Sequence, residues 1–276
     1  MVLVDLENYW IDKINTPYIG DDGAIVQEKV YAMDAFWEGT HFKKEWMSIE
    51  QIAYKAFMVN LSDMVAMNAT TKYMLITVAF PKNIKKKIVK RLSTSFLELA
   101  KEHNIEIIGG DTISSDKLGI VITMIGESKI PLKRDSLNEG DILAYTGTLG
   151  ESKRDLERLL DGERIPDNSK FYKPILREDF IRAVTPWLSG GMDISDGLYC
   201  DTNKLLRINN LHMQELKVIP PEIGESGEEY EMLIAFNPQN LKRVERIAKL
   251  TDTPLTIFGK VTTQKEEYYP CNSWHF

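Results

Sequence analysis

Five short acidic motifs carry most of the chemistry available to this chain: Gly20-Asp21-Asp22, Asp34, Asn60-Leu61-Ser62-Asp63, Gly109-Gly110-Asp111 and Asp193-Ile194-Ser195-Asp196-Gly197, each set among apolar or small residues. Carboxylates in such surroundings repel one another and resist desolvation unless cations pair with them. Hard oxygen ligands suit Mg2+, which is commonly shared with phosphate oxygens, so the acids together read as one divided metal site serving phosphate chemistry. An aspartate beside a glycine also serves as a turn or cap residue, and any one motif alone is open to that reading. Five together are much harder to explain that way.

Each motif has a local logic. Asn60 and Asp63, three residues apart on a helical pattern, share a stripe with Ala56 and Met67 that is otherwise made for burial, so the acid needs either a metal or a hydrogen-bonding partner. Ile107-Ile108-Gly109-Gly110-Asp111-Thr112 reads as a strand ending in two glycines that allow close backbone approach, followed by an acid and a hydroxyl, which suits a nucleotide phosphate and its metal. Extended backbone sends Asp193 and Ser195 to one side, and a helix is expected to start at Asp196 or Gly197. Gly147-Thr148-Leu149-Gly150-Glu151-Ser152-Lys153 imitates a P-loop but lacks Gly-Lys-Ser/Thr, so a tight strand-to-helix turn is the better reading. No Ser/His/Asp or Cys/His arrangement forms a recognisable motif, which argues against triad-type hydrolysis. His41 alone reads as a histidine packed at a loop.

The elements that must position these residues alternate. Strand-like runs cover Ala24 to Gln27, Lys29 to Phe36, Tyr73 to Phe80, Ile105 to Ile108, Leu118 to Glu127 and Ile142 to Thr146. Ser48-Ile49-Glu50-Gln51 is a capping box opening one helix, and a second starts near Asn83. Further helices are expected over Arg154 to Leu160, Leu176 to Val184, Leu198 to Ile208 and Asn240 to Leu250, with strands over Leu211 to Ile219, Tyr230 to Phe236 and Leu255 to Val261. The pattern is that of a mixed α/β protein. The polar stretch Pro131 to Gly140 separates two halves, residues 1–138 and 139–276. Gly, Pro, Asp and Asn between Gly162 and Tyr172 permit movement there.

A net charge of −7 and a pI near 5.3 argue against a general nucleic-acid grip. The basic run Lys82 to Arg91, with Ile84, Ile88, Val89, Leu92 and Phe96 opposite, is the solvated face of an amphipathic helix. No long apolar run suggests a membrane span, and the opening residues lack a basic flank, so the cytoplasm is the expected compartment. Cys200 and Cys271 make no disulfide framework and no zinc site, and their count alone leaves a redox pair open.

The motifs in their order, together with Asp34 through Phe42, Thr146 through Gly150 and Gly227-Glu228-Glu229-Tyr230-Glu231, resemble those of the bacterial thiamine-monophosphate kinases, within the ATP-binding superfamily of aminoimidazole ribonucleotide synthetase. The resemblance covers nearly the whole chain. It implies a two-domain aminoimidazole ribonucleotide synthetase-like fold: an N-terminal ATP- and Mg-binding domain whose sheet joins a second copy's in a homodimer barrel, and a C-terminal α/β domain completing the site. It implies direct transfer of the γ-phosphoryl group of ATP to thiamine monophosphate with several Mg2+ ions. Asp22, Asp34, Asp63, Asp111, Asp193 and Asp196 would then be metal ligands, with Asp22, Asp63, Asp193 and Asp196 central to catalysis. Gly110, Asp111, Arg134 and Ser195 would contact ATP, while His41, Glu228 and Trp274 would meet the thiamine phosphate. No nucleic acid and no membrane would be partners.

The chain departs from the resemblance in places. Glu229 stands where aspartate is usual, Ala32 and Met33 replace hydroxyl residues before Asp34, and the ending Trp274-His275-Phe276 is one residue tighter. An exposed strand such as Lys29 to Phe36 would need the cover that dimerisation provides. The alternatives are another ATP-dependent synthetase of the superfamily and a nucleotide-binding protein without turnover.

Overall fold

The structure, a computed structural model, describes residues 6–271, so Trp274 lies outside the described residues. The chain opens with α1 (Leu6–Ile14), β1 (Ala24–Val26), β2 (Lys29–Trp37), α2 (Ile49–Ala66), β3 (Thr70–Pro81), α3 (Lys86–Glu102), β4 (Glu106–Ser115) and β5 (Gly119–Glu127). These strands form one sheet in the order β1-β2-β5-β3-β4. All its pairs are antiparallel except β3 with β4, which α3 connects as a crossover.

Strand alternation decides what faces the core. β2 buries Val30, Ala32 and Phe36 and turns Met33 outward, so Asp34 follows the buried series. β5 sends Ile120, Ile122 and Met124 to the same side. Across that face lies α2, opened by the expected capping box and buried nearly all round. α3 buries Leu92, Phe96 and Leu99, leaving its lysines exposed as the amphipathic pattern requires.

Two expectations fail here. The strand carrying Gly109-Gly110-Asp111 does not end at the glycines but runs on to Ser115, pairing along β3. The reason is steric: a Cβ at Gly110 would fall 1.7 Å from the Ile76 carbonyl oxygen, so glycine lets the two strands meet. Nor is β2 an uncovered edge, since it lies between β1 and β5. The long open edge is β4, exposed along almost its whole length.

The second sheet uses β6 (Ile142–Thr146), β7 (Gly190–Asp193), β8 (His212–Glu215), β9 (Met232–Phe236) and β10 (Leu255–Thr262), in the order β7-β9-β6-β10-β8. All its neighbours are antiparallel. With it come α4 (Glu151–Leu160), α5 (Glu178–Val184), α6 (Leu198–Ile208), α7 (Pro221–Gly224) and α8 (Leu241–Leu250). β6 and β9 are buried on both faces. Ile234 and Phe236 join the core that also holds α2, α5 and α8, while Leu233 and Ala235 join a second core with α6. The first core therefore runs without a break from one sheet to the other.

The segment between Gly162 and Tyr172 is less free than its composition suggests, because its second half is anchored. Ser169 donates to Asp155, Lys170 donates to the Thr148 carbonyl at 2.7 Å, and the Tyr172 hydroxyl donates to the Trp46 carbonyl at 2.8 Å. The two cysteines, far apart in sequence, form a Cys200–Cys271 disulfide that joins α6 to the chain's last described residue. Tyr269 stacks on Tyr199 at 4.2 Å between ring centroids, and its backbone exchanges hydrogen bonds with the Asn203 amide at 2.8 and 3.1 Å. No described helix is long and apolar enough to cross a membrane.

Candidate active site

Three carboxylates from separate parts of the chain converge. Asp22 comes from the turn before β1, Asp63 from α2 and Asp193 from the end of β7, each offering an oxygen within 4.8 Å of the others. Local sequence explains each placement. Asn60 pins α2 to β2 by accepting the Asp34 amide at 2.9 Å while its own amide donates to the Ala56 carbonyl. This sets Asp34 close enough to raise the Asp63 pKa by charge repulsion. Ser62, beside Asp63, donates to Asp193 Oδ2 at 2.6 Å across the two sheets.

The electrostatics are those of a cation site. Burial first, then repulsion from Asp34, Asp193 and Asp22, pushes the Asp63 carboxyl well above the usual range. Burial and then Asp22 do the same to Asp193, against the lowering effect of Ser62. The Arg134 guanidinium opposes them; it bonds Asp22, and its own proton is held more tightly by that partner. Asp22 Oδ2 is buried without a hydrogen-bond partner. An orphaned buried carboxylate oxygen among three converging acids fits a hard divalent cation. The Tyr230 side chain is buried within the same negative field, its hydroxyl proton held by burial and then by Glu228, Asp34, Asp193 and Asp63.

The other expected residues are placed around this cluster or away from it. Asp196 turns to Lys204 rather than joining the three. Ser195 and Asp196 are oriented through their amides, both donating to the buried Asp201 at 3.0 Å. Helix α6 begins at Leu198, as the helical pattern over Leu198 to Ile208 predicts and just beyond the Asp196 or Gly197 start read from the motif, with Gly197 at a positive φ of 101° as its cap. Gly110 and Asp111 lie on the exposed β4, where Asp111 accepts the Thr112 amide at 2.7 Å. His41 Nδ1 accepts the Trp37 amide at 2.9 Å, closing its own loop beside Phe36. Glu228 accepts from Lys55 at 2.7 Å.

Sequence reading missed Ser62, Asp201, Lys55 and Tyr230. A signal existed for all but Lys55, since Ser62 and Tyr230 lie inside quoted motifs and Asp201 follows another by one helical turn. The P-loop imitation at Gly147 is resolved by Glu229, whose Oε1 accepts the Gly150 and Ser152 amides at 2.7 and 3.2 Å. A carboxylate of the chain thus occupies the helix N-terminus where a phosphate would bind in a true P-loop.

The fold and the acid cluster define the class. Residues 20–128 match the family described as AIR synthase related protein, N-terminal domain. The solved structure of AaThiL complexed with AMPPCP and TMP shares the fold, with a TM-score of 0.86 at 24% identity over 98% of this chain and 96% of that one. The chain belongs to the thiamine-monophosphate kinase family: it is 31% identical to the thiamine-monophosphate kinase of Bacillus subtilis over 88% of this chain and 84% of that protein. It is also 31% identical to that of Leptospira interrogans, over 89% and 83%.

Proposed function

We propose that this chain transfers the γ-phosphoryl group of ATP to the phosphate of thiamine monophosphate, giving thiamine diphosphate and ADP. The observation that carries the reading is the convergence of Asp22, Asp63 and Asp193, with one carboxylate oxygen orphaned, in a member of this kinase family. An oxygen of the acceptor phosphate bonds to the γ-phosphorus as the bridge to the β-phosphate breaks, and the electron pair stays on ADP. The attacking oxygen is already ionised near neutral pH, so positioning and charge supply the catalysis and no general base is compulsory. Divalent cations, Mg2+ by the chemistry of the donors, would be held by Asp22, Asp63 and Asp193 and would neutralise the phosphate oxygens.

The chain's own groups do the rest. Arg134, fixed by Asp22, carries the permanent positive charge beside the phosphates. Ser195, with its amide held by Asp201, Gly110 and Asp111 are assigned to ATP, with Asp34, Asp111 and Asp196 as further metal ligands. His41, Glu228 and Trp274 are assigned to the acceptor. We divide the chain at residue 138 and assign it to the cytoplasm. The open β4 edge and the exposed apolar residues Met33, Tyr73, Ile108 and Ile113 support a homodimer that covers them, checked by sedimentation equilibrium.

The test is an assay of purified protein with Mg-ATP and either thiamine monophosphate, free thiamine or formylglycinamidine ribonucleotide, with the product identified. Equal amounts of ADP and thiamine diphosphate from the first acceptor alone support the reading. ADP formed only with the ribonucleotide refutes it.

A further inference from the structure

Lys55 is a lysine with no exposed surface, and its place in the structure is unusual for so strongly hydrated a cation. It lies on α2, the helix that supplies Asp63, eight residues earlier and therefore about 12 Å along the helix axis. Its ammonium donates to Glu228 Oε2 at 2.7 Å and sits 3.8 Å from the centroid of the Phe171 ring. One helix thus carries both this cation and, about two turns further on, part of the acid cluster.

Glu228 is held at several points. It has a left-handed backbone with φ of 54°, which is unfavourable for a residue with a Cβ. Its amide donates to the Ser195 carbonyl at 2.7 Å, and its carbonyl accepts from the Ser152 hydroxyl at 2.9 Å. Its side chain is 23% exposed, and among the described residues its one hydrogen bond is the one from Lys55. Two residues on, Tyr230 enters the field of the acid cluster. A strained residue fixed through backbone and side chain is a residue whose carboxylate direction matters.

We infer that Lys55 is a positioning residue for the acceptor: by engaging one oxygen of Glu228 and fixing the direction of its carboxylate, it sets how a cationic heteroaromatic acceptor bearing a phosphate is held. The inference rests on the proposed kinase reading and on Glu228 meeting the acceptor. Lys55 itself, enclosed by α2, Phe171 and Glu228, acts through Glu228 and does not touch the ligand.

The test uses the full chain and steady-state kinetics with Mg-ATP and thiamine monophosphate. Lys55→Met keeps an unbranched chain against Phe171 and removes the charge. It is expected to raise the acceptor KM about 10- to 100-fold, the worth of a charge-assisted hydrogen bond, with the ATP KM within about twofold of wild type. Glu228→Gln, at a partly exposed position, is expected to raise the acceptor KM comparably. In the Glu228→Gln background, adding Lys55→Met is expected to change the acceptor KM little further.

An unchanged acceptor KM in Lys55→Met overturns the inference. So do an equal additional effect in the Glu228→Gln background, and parallel rises in both KM values with a lowered melting temperature, the mark of a purely structural role. Should Lys55→Met fail to fold, an unchanged acceptor KM in Glu228→Gln overturns it. Wild-type protein that releases no ADP in response to thiamine monophosphate defeats the kinase reading itself, an outcome seen before any variant is made.

Discussion

Replacing Cys271 by serine cuts the covalent tie between the end of the described chain and α6 without opening a cavity, because Cys271 is exposed whereas Cys200 is buried. The two residues are 71 apart in sequence. A cross-link over a loop of that length removes unfolded-state entropy worth roughly 4.4 kcal/mol at 25 °C. The folded tail keeps its other anchors, the Tyr199–Tyr269 stack and the Asn203 hydrogen bonds, so the loss falls mainly on the unfolded chain. For a protein of this size such a change lowers the melting temperature by about 10 °C. The assay is calorimetry on oxidised wild type, wild type in dithiothreitol and Cys271→Ser, with intact mass confirming the bond in the first sample. The last two should melt together, well below the first. Melting temperatures agreeing within about 1 °C, with the bond confirmed, would refute the entropic reasoning.

Asp63→Asn should keep the fold yet lower kcat by at least about 100-fold, while the metal-free protein becomes no less stable because a repelled charge has gone; near wild-type turnover at saturating Mg2+ would contradict this. The raised Asp63 and Asp193 carboxyls bind protons in the folded metal-free state that the unfolded chain has released, so stability in EDTA should fall as pH rises from about 4 upward. Asp201, pushed up to about 7 mainly by burial, extends that loss toward neutrality, and Mg2+ should restore most at the alkaline end; melting curves across pH with and without Mg2+ check the sign. Glu231→Gln removes the fully buried carboxylate partner of Arg177 and one of the two carboxylate partners of Lys170, and should cost about 3–5 kcal/mol in urea unfolding. A cost below about 1 kcal/mol would show that the network relaxes around the loss.

Much of this was legible in the sequence, for physical reasons. The capping box at Ser48, the alternation in β2 and β5 and the amphipathic run of α3 are local patterns, and local patterns predict local elements. The acids Asp22, Asp63 and Asp193 could be singled out because carboxylates in apolar surroundings are costly wherever they fall. What escaped depended on long-range partners. Whether Gly109 and Gly110 end a strand or continue it is decided by the approach of Ile76, which no local pattern records. Lys55 looks like any helix-surface lysine until Phe171 and Glu228 close over it. The two cysteines had no spacing signal because their meeting depends on the tail docking along α6. The short β7, with two glycines and an aspartate, has little β propensity and is made a strand by pairing with β9.

The carboxylate of Glu229 at the start of α4 narrows the routes by which this chain can change. A helix N-terminus after two glycines is a ready foothold for a new phosphate ligand, and few substitutions would complete the P-loop spelling at Gly147 to Lys153. Yet Glu229 already satisfies the Gly150 and Ser152 amides, bonds Ser226 and faces Lys170 at 3.0 Å. A phosphate entering there would have to expel an internal anion, strand a buried cation and loosen the loop that presents Glu228. Nucleotide affinity at the start of α4 is thus closed to stepwise drift.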